Sequence, residues 1–155
     1  MSTYFEKYAQ KGNEFLHLLA IELKKENDIH GTARILRNTL HVLRNHLTVE
    51  ESMQMISQLP LVIKGIYVDG WKIQKKRIRM KHVDDLVAEL MEREGAAMAE
   101  HDVRNEAGAR HAIRCVFKVL NNYVSDGELR DVAGVMSKEL KMFFESVLDE
   151  KDKVI

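Results

Sequence analysis

The sequence predicts an all-α protein, an eight-helix compact bundle made of two pseudo-symmetric four-helix repeats. The chain contains a single proline and few alternating β-branched residues, so it lacks the pattern that predicts strands. Apolar residues instead recur at spacings of three and four, which would bury one face of each helix. Two segments, 28–67 and 105–144, also align with each other without a gap, and this predicts a duplicated unit.

Identities between the two segments fall where helix phase and helix caps would require them. The aligned pairs are Gly31 with Gly108, Arg37 with Arg114, Leu43 with Leu120, Asn45 with Asn122, Glu51 with Glu128, and Lys64 with Lys141. The chain is therefore predicted to be a single domain over residues 1–155. Repeat one covers about 3–70, a basic linker covers 71–82, and repeat two covers about 83–149.

Capping residues predict where the shared helices begin. Asp28 and Asn105 are N-cap candidates for the first shared helix of each repeat. The segments 48–51 and 125–128 indicate capping boxes, in which a Thr or Ser hydroxyl accepts from the third helical amide and a Glu side chain reaches back. Pro60 suits the first turn of the third helix in repeat one.

The remaining helices are predicted from apolar periodicity and stop signals. Ser137 is a cap candidate for the last helix of repeat two. A helix is predicted ahead of each shared triplet: one over roughly 3–26 with a weak point at Gly12, and one over roughly 83–93 that ends near Gly95. The side chains predicted to be buried are Leu36, Leu40, Leu43, Leu47, Ile63, Ile66 and Tyr67 in repeat one, and Ile113, Val116, Phe117, Leu120, Val124, Leu140, Phe143 and Phe144 in repeat two.

Several of these pieces resemble a bacterial family of unknown function, number 2267 among the catalogued domains of unknown function. The matching segments are 48–52, 58–60, 65–71 and 124–129, and the resemblance extends from about Phe15 to Phe144. Met136 and Ser137 stand where that family tends to have Leu-Pro. The resemblance implies an all-helical protein of bacterial origin and implies no catalytic residues.

Composition limits the classes of partner. The 24 basic and 24 acidic residues balance, so no net field steers the whole chain toward nucleic acid or anionic lipid. The single cysteine excludes an internal disulfide framework and suits a reducing cytoplasm. The amino terminus lacks the pattern of a secretion signal, and no apolar run is long enough to span a bilayer. We therefore expect a cytoplasmic protein without membrane insertion.

The most charged segment is a basic linker that contains no acid. Its six cations are Lys72, Lys75, Lys76, Arg77, Arg79 and Lys81. The first shared helices add further cations, including Arg37 and Arg114. Clustered cations of this kind can bind phosphate. A solvated linker whose charges pair with nearby acids explains the pattern somewhat better, because no aromatic stacking platform accompanies the cations.

Three smaller patterns have both a chemical and a structural interpretation. Glu14 and His17 share a helix face as di-iron ligands do, but no second pair is present, and a surface carboxylate beside a partly buried histidine is favoured. His111 and Cys115 could form a metal clip or an activated thiol, although an incidental pair on the polar helix face is favoured. Trp71 could stack on a ligand, but packing between the units is favoured.

No catalytic signature is present in the chain, neither a nucleophile elbow nor a zinc-protease helix nor a glycine-rich phosphate loop. The sequence therefore favours a non-enzymatic helical interaction or adaptor module, stress-related in role, that binds a protein partner or another copy of itself and uses no cofactor or metal. The alternative is a protein that binds nucleic acid or an anionic ligand through Lys72–Lys81 and the arginine-bearing helix faces.

Overall fold

The structure, a computed structural model, describes residues 4–73 and 80–150, and these ranges contain nine helices and no strand. The helices are α1 (Glu6–Leu23), α2 (Ile29–Asn45), α3 (Val49–Ile56), α4 (Leu61–Val68), α5 (Val83–Glu94), α6 (Ala96–Asp102), α7 (Glu106–Leu120), α8 (Asp126–Gly134) and α9 (Lys138–Leu148). The prediction of an all-helical protein is confirmed. None of these helices is both long and apolar enough to cross a membrane.

The predicted count of eight helices is wrong, because an additional helix, α6, lies between α5 and α7. Gly95 does end α5, and it does so at φ +80, which side-chain-bearing residues rarely adopt. The carbonyl of the same glycine then accepts from the Ala99 N–H at 2.8 Å and starts α6. The alanine-rich segment 96–99 has high helix propensity, so a new helix forms where a loop was expected.

The three shared helices start at the same aligned positions in both halves. They begin at residues 29, 49 and 61 in the first half and at 106, 126 and 138 in the second. Asp28 accepts a hydrogen bond from the Gly31 N–H at 3.0 Å, and Asn105 accepts from the Gly108 N–H at 3.0 Å. Both predicted N-caps of the first shared helix are therefore confirmed.

The second pair of caps differs between the halves. The Thr48 capping box is complete, with Glu51 N–H donating to the Thr48 hydroxyl at 3.1 Å and Thr48 N–H donating to the Glu51 carboxylate at 3.0 Å. The Ser125 hydroxyl likewise accepts from Glu128 N–H at 3.2 Å. The reciprocal bond predicted for Glu128 is wrong, because the Ser125 N–H donates to Gln58 Oε1 at 2.7 Å.

The third pair of helices starts close to the predicted points. Pro60 is the N-cap of α4 and directly precedes its first residue, rather than lying within the first turn. Ser137 caps α9 by accepting from Leu140 N–H at 3.3 Å. Gly12 lies inside an unbroken α1 and is buried, so the predicted weak point is wrong. A Cβ at this position would lie 3.0 Å from Val62 Cβ, so glycine allows α4 to approach α1 closely.

Helices α1, α2 and α4 follow the same packing pairs as α5, α7 and α9, whereas α8 packs closely on α9 without a comparable contact between α3 and α4 among the described residues. Helix α1 packs on α2, α4 and α7, and α5 packs on α7, α9 and α2. The contacts between α2 and α7 and between α3 and α8 join corresponding helices of the two halves. Exchanging α1 with α5, α2 with α7, and α4 with α9 therefore leaves this set of packing pairs unchanged.

One apolar core contains residues from both halves, and helices α2 and α7 contribute heavily to it. The predicted helix stripe is buried, and Leu40, Leu43, Phe117 and Leu120 are each at most 2% exposed. Ile66 and Phe143 are only partly buried but pack against this core. Because α2 and α7 have neighbours on several sides, residues outside the apolar stripe are also buried on them.

Candidate functional site

The structure describes the two ends of the predicted basic site. Lys75, Lys76, Arg77 and Arg79 lie outside the described residues. Lys72 and Lys81 lie within them, and both are exposed. The main-chain oxygen of Lys81 accepts from the Ser137 hydroxyl at 2.8 Å, so this end of the segment is attached to the start of α9.

The two arginines assigned to the same site are both engaged by acids. Arg37 forms an ion pair with Asp69, and this hydrogen bond lowers the pKa of the Asp69 carboxyl. Arg114 forms an ion pair with Glu150 and also lies 5.7 Å from the centre of the Phe143 ring. An anion at either arginine would have to compete with the carboxylate already bound there.

The His111–Cys115 pair differs from the predicted pair on a polar face. Cys115 is 2% exposed, because α1 covers this side of α7 and the thiol lies 3.8 Å from the Glu22 carbonyl oxygen. His111 Nε2 lies 3.4 Å from the sulfur, yet burial raises the pKa of the Cys115 thiol to about 12. A buried thiol with a raised pKa is unreactive, which argues against an activated nucleophile.

The other two patterns differ, because the Glu14–His17 pair is exposed and Trp71 packs on its neighbours. Glu14 and His17 are both exposed on α1, so the expectation of a partly buried histidine is wrong. Trp71 is half-buried and packs its ring edge against Tyr67, with ring centres 5.8 Å apart. The Arg44 guanidinium lies 5.8 Å from the centre of the Trp71 ring.

The fold creates a groove that no single stretch of sequence predicts. It has a volume of about 590 Å³ and lies between the end of α2, the entry to α5, the turn between α8 and α9, and α9 itself. We call it the methionine groove. It is lined by His46, Met80, Lys81, His82, Val135, Met136, Ser137, Lys138, Glu139, Leu140 and Met142.

Hydrogen bonds from the first turn of α9 hold one wall of the methionine groove. The Ser137 hydroxyl donates to the carbonyl of Lys81, and the Glu139 carboxylate accepts from the Val83 N–H at 2.5 Å. Glu139 also lies 3.1 Å from His82 Nδ1. The hydrogen bond from the Val83 N–H is the main cause that lowers the pKa of Glu139. The carboxylate therefore stays ionised and hydrogen-bonded to the start of α5.

A second set of hydrogen bonds fixes the histidine that lines the groove. His46 is buried and its Nε2 lies 2.6 Å from Glu89 Oε2, while Asn45 donates to Glu89 Oε1 at 2.7 Å. Burial of Glu89 alone would raise its pKa, but the bonds from His46 and Asn45 hold the pKa below its ordinary value. These contacts fix the end of α2 against α5 and keep this part of the groove in place.

The remaining lining is apolar and its free charges are positive. Met142 is 62% exposed and Val135 is 38% exposed, whereas Met80 and Met136 pack partly against the core. The ammonium groups of Lys81 and Lys138 have no acidic partner in the described part of the chain. The arrangement offers flexible thioether side chains between two cations, which is suited to an apolar segment that carries acidic residues.

Sequence reasoning missed the groove because its methionines are far apart in the chain. Met80 lies near the end of the basic linker, whereas Met136 lies in the turn before α9 and Met142 is on the outer face of α9. The sequence alone indicates only that Met142 is exposed, because this residue lies off the apolar stripe formed by Leu140 and Phe144 on α9. That pattern marks an exposed methionine but does not place it beside the other two.

The fold and the groove define an all-helical protein with an apolar, cation-flanked surface site. The chain belongs to the uncharacterised conserved protein family DUF2267, whose family model matches residues 12–143. The predicted family resemblance is therefore confirmed. No curated protein matches the chain at a significant level.

Proposed function

We propose that this protein is a non-enzymatic helical interaction module whose docking surface is the methionine groove. The proposal rests on one observation, the convergence of Met80, Met136 and Met142 on a groove of about 590 Å³. Grooves of roughly 300–1,000 Å³ with mostly apolar walls are typical of binding sites. Methionine is unbranched and polarisable, so it adapts to the side chains of a docked partner.

The charges around the groove support, as the partner, an amphipathic helix with acidic residues bordering its apolar face. Lys81 and Lys138 would meet those acids, while Glu139 is already engaged by Val83 and His82 and so repels them less. Docking of a helix into an apolar groove is a common mode of peptide recognition. Apolar anchors would contribute most of the affinity, and the cations would select the partner by charge.

Fluorescence anisotropy with two synthetic peptides tests this proposal. Both carry the same leucine face, one with glutamate at the border positions and the other with lysine. The wild-type protein is expected to bind the glutamate peptide and to discriminate against the lysine peptide. Lys138→Glu should weaken binding on the order of ten-fold, which corresponds to about 1.4 kcal/mol, and Met142→Gln should also weaken it.

Matched variants separate the groove from general surface effects. Lys11→Glu changes an exposed cation on α1, and Met53→Gln changes a methionine of α3 that is 43% exposed and lies outside the groove. Both controls should bind the glutamate peptide like the wild type. No binding of that peptide, or equal losses in the groove variants and the controls, would remove the groove from the function.

Nucleic-acid or anionic-ligand binding is the second candidate, favoured by the density of cations in Lys72–Lys81. Lys72 and Lys81 are exposed at the ends of that segment. Phosphate contacts on duplex DNA would give a log–log salt slope of about −0.9 per contact, independent of base sequence. Steep salt-dependent binding of DNA or RNA, flattened by changing Lys75, Lys76 and Arg77 to Ala, would favour this candidate over peptide docking.

The proposal includes a duplicated architecture and a cytoplasmic setting. The constant offset between helix starts and the exchange of packing pairs both support two copies of one unit. The presence of only one cysteine, which excludes an internal disulfide, supports a reducing compartment. We propose that the module acts as an adaptor in a bacterial cell and that its role is related to stress.

A further inference from the structure

Two carboxyl groups are buried against each other where α5, α6 and α2 meet. Glu94 is the last residue of α5 and is 7% exposed, and Asp102 is the last residue of α6 and is 5% exposed. The two side chains lie close enough for each to shift the pKa of the other. Two carboxyl groups this close favour one ionised and one protonated member, because two carboxylates repel each other and offer only acceptors.

Asp102 is the ionised member of the pair. Arg34 of α2 donates to both of its oxygens at 2.9 Å, and His101 Nδ1 lies 2.9 Å from Oδ1. Burial works to raise the pKa of Asp102, but the bonds from Arg34, His101 and Glu94 hold it below the ordinary value. A bidentate guanidinium is the strongest partner that a buried carboxylate can have in a protein.

Glu94 is the member that carries the proton. Its Oε1 is buried and has no hydrogen-bond partner among the residues that the structure describes, so an ionised Glu94 would hold a poorly compensated charge in the interior. Burial is the largest cause that raises the pKa of Glu94, to about 7, and the bond to Asp102 and the charge of Asp102 act in the same direction. Arg34 and Asn38 oppose this shift.

Apart from Arg34 and Asn38, which act on Glu94, the charged groups on the surrounding described elements are engaged elsewhere. The turn before α2 contributes Asp28, which accepts from Gly31 N–H and lies 3.7 Å from the Lys25 ammonium. The charged groups of α7 and α9 that face α5 are at its other end, where Arg110 binds Asp84 and Glu139 binds the Val83 N–H.

The same cluster is an ion-pair network rather than a metal site. Ligand atoms of Asp28, His101 and Asp102 lie within 4.8 Å of one another. Both oxygens of Asp102 are nevertheless taken by Arg34, and a cation there would face the guanidinium directly. The network therefore joins three helices, with α6 held through Asp102 and α5 through Glu94.

We propose that the Glu94–Asp102 pair is a proton-dependent latch that fastens α6 to α2 and α5 and releases α6 when Glu94 ionises. Loss of the proton places a second negative charge in the buried cluster, where one arginine already pairs with Asp102. Helix α6 is the element that distinguishes the second half of the chain from the first, and it is only seven residues long. Such a short helix depends on its tertiary contacts rather than on its own stability.

The pH range over which α6 loses this stabilisation follows from the raised pKa of Glu94. The folded-state pKa of Glu94 lies above its ordinary value of 4.5, so the stabilising effect is complete below about pH 4.5 and is lost as the pH rises through about 7. The change in opening of α6 between pH 5.5 and pH 8 should therefore be on the order of ten-fold or more.

Amide hydrogen exchange on the full chain tests the latch. Exchange of the amides in 96–104 is measured at pH 5.5 and pH 8 and corrected by the exchange of the same segment as an unstructured peptide. The expected result is at least a roughly ten-fold loss of protection in α6 at the higher pH, with the amides of α7 unchanged. Protection of α6 that is the same at both pH values overturns the proposal, and the wild-type protein alone is enough to show it.

Two variants assign the effect to Glu94. Glu94→Gln cannot ionise and should make protection in α6 independent of pH over this range. Glu92→Gln changes an exposed carboxylate on the same helix and should keep the wild-type pH dependence. A Glu94→Gln protein that still loses protection like the wild type would show that another group titrates, and the latch would be wrong.

Discussion

Gln58 Oε1 accepts a hydrogen bond from the Ser125 N–H at 2.7 Å, and this bond links the first half of the chain to the cap of a helix in the second. The aligned amide of Thr48 is instead bonded within its own capping box by Glu51. Equivalent caps are thus completed in two ways, one locally and one across the interface where α3 meets α8. The difference makes the two halves distinguishable by mutation.

Gln58→Ala should destabilise the protein by about 0.5–1.5 kcal/mol, because the Ser125 amide loses its partner near the surface. Gln54→Ala is the matched control, since Gln54 is an exposed glutamine on α3. Denaturant unfolding of both variants measures the difference. Equal midpoints for the two would remove Gln58 from any role at this cap.

Thr48→Ala should lower the free energy of unfolding by about 0.5–2 kcal/mol, because Glu51 N–H loses its acceptor at the start of α3. Ser125→Ala should cost an amount in the same range, since its hydroxyl also accepts from a helical N–H. Adding Gln58→Ala should cost a different amount in Ser125→Ala than in Thr48→Ala only if the two contacts at Ser125 are coupled. Midpoints unchanged from the wild type in both single variants would contradict the cap roles.

Gly108→Ala should be among the most damaging of the small substitutions. Its Cβ would lie 1.7 Å from the Val103 carbonyl oxygen, a backbone atom that cannot move aside cheaply, so a loss of roughly 1–3 kcal/mol is expected. Gly65→Ala is the control, because a Cβ there meets nothing within 4 Å and alanine is the better helix former by about 0.5–1 kcal/mol. The two variants should therefore shift the melting temperature in opposite directions.

Cys115 should react with a thiol-specific reagent at pH 8 roughly 100-fold or more slowly in the folded protein than in denaturant. Its burial and raised pKa both lower the thiolate available for reaction. His111→Ala should leave the slow rate unchanged. A folded-state rate faster than that of the unfolded chain, and lost in His111→Ala, would instead show an activated thiol.

The sequence pattern is sufficient to predict the features that depend on residues close together along the chain. The N-caps at Asp28 and Asn105 follow from side-chain chemistry within one turn, and the stripe through Leu40 and Leu43 follows from helix periodicity. Helix α6 was missed because Gly95 ends one helix and begins the next, and composition alone does not distinguish a stop from a restart.

Features that depend on packing between distant segments were not predictable from the sequence. Cys115 lies opposite the apolar stripe of α7, yet α1 covers it, because α7 is enclosed on several sides. The methionine groove combines residues from three separate parts of the chain. The Glu94–Asp102 pair likewise depends on how α6 folds back against α2, which no local pattern specifies.

Methyl NMR on protein labelled at the methionine ε-carbon tests the central claim, docking at the methionine groove, most directly. Titration with the glutamate-bordered amphipathic peptide should shift the signals of Met80, Met136 and Met142, which line the groove. The signals of Met53 and Met98, which are 43% and 40% exposed but lie elsewhere, should stay in place. Shifts at Met53 or Met98 without shifts at the three groove methionines, or no shift at saturating peptide, would contradict the account.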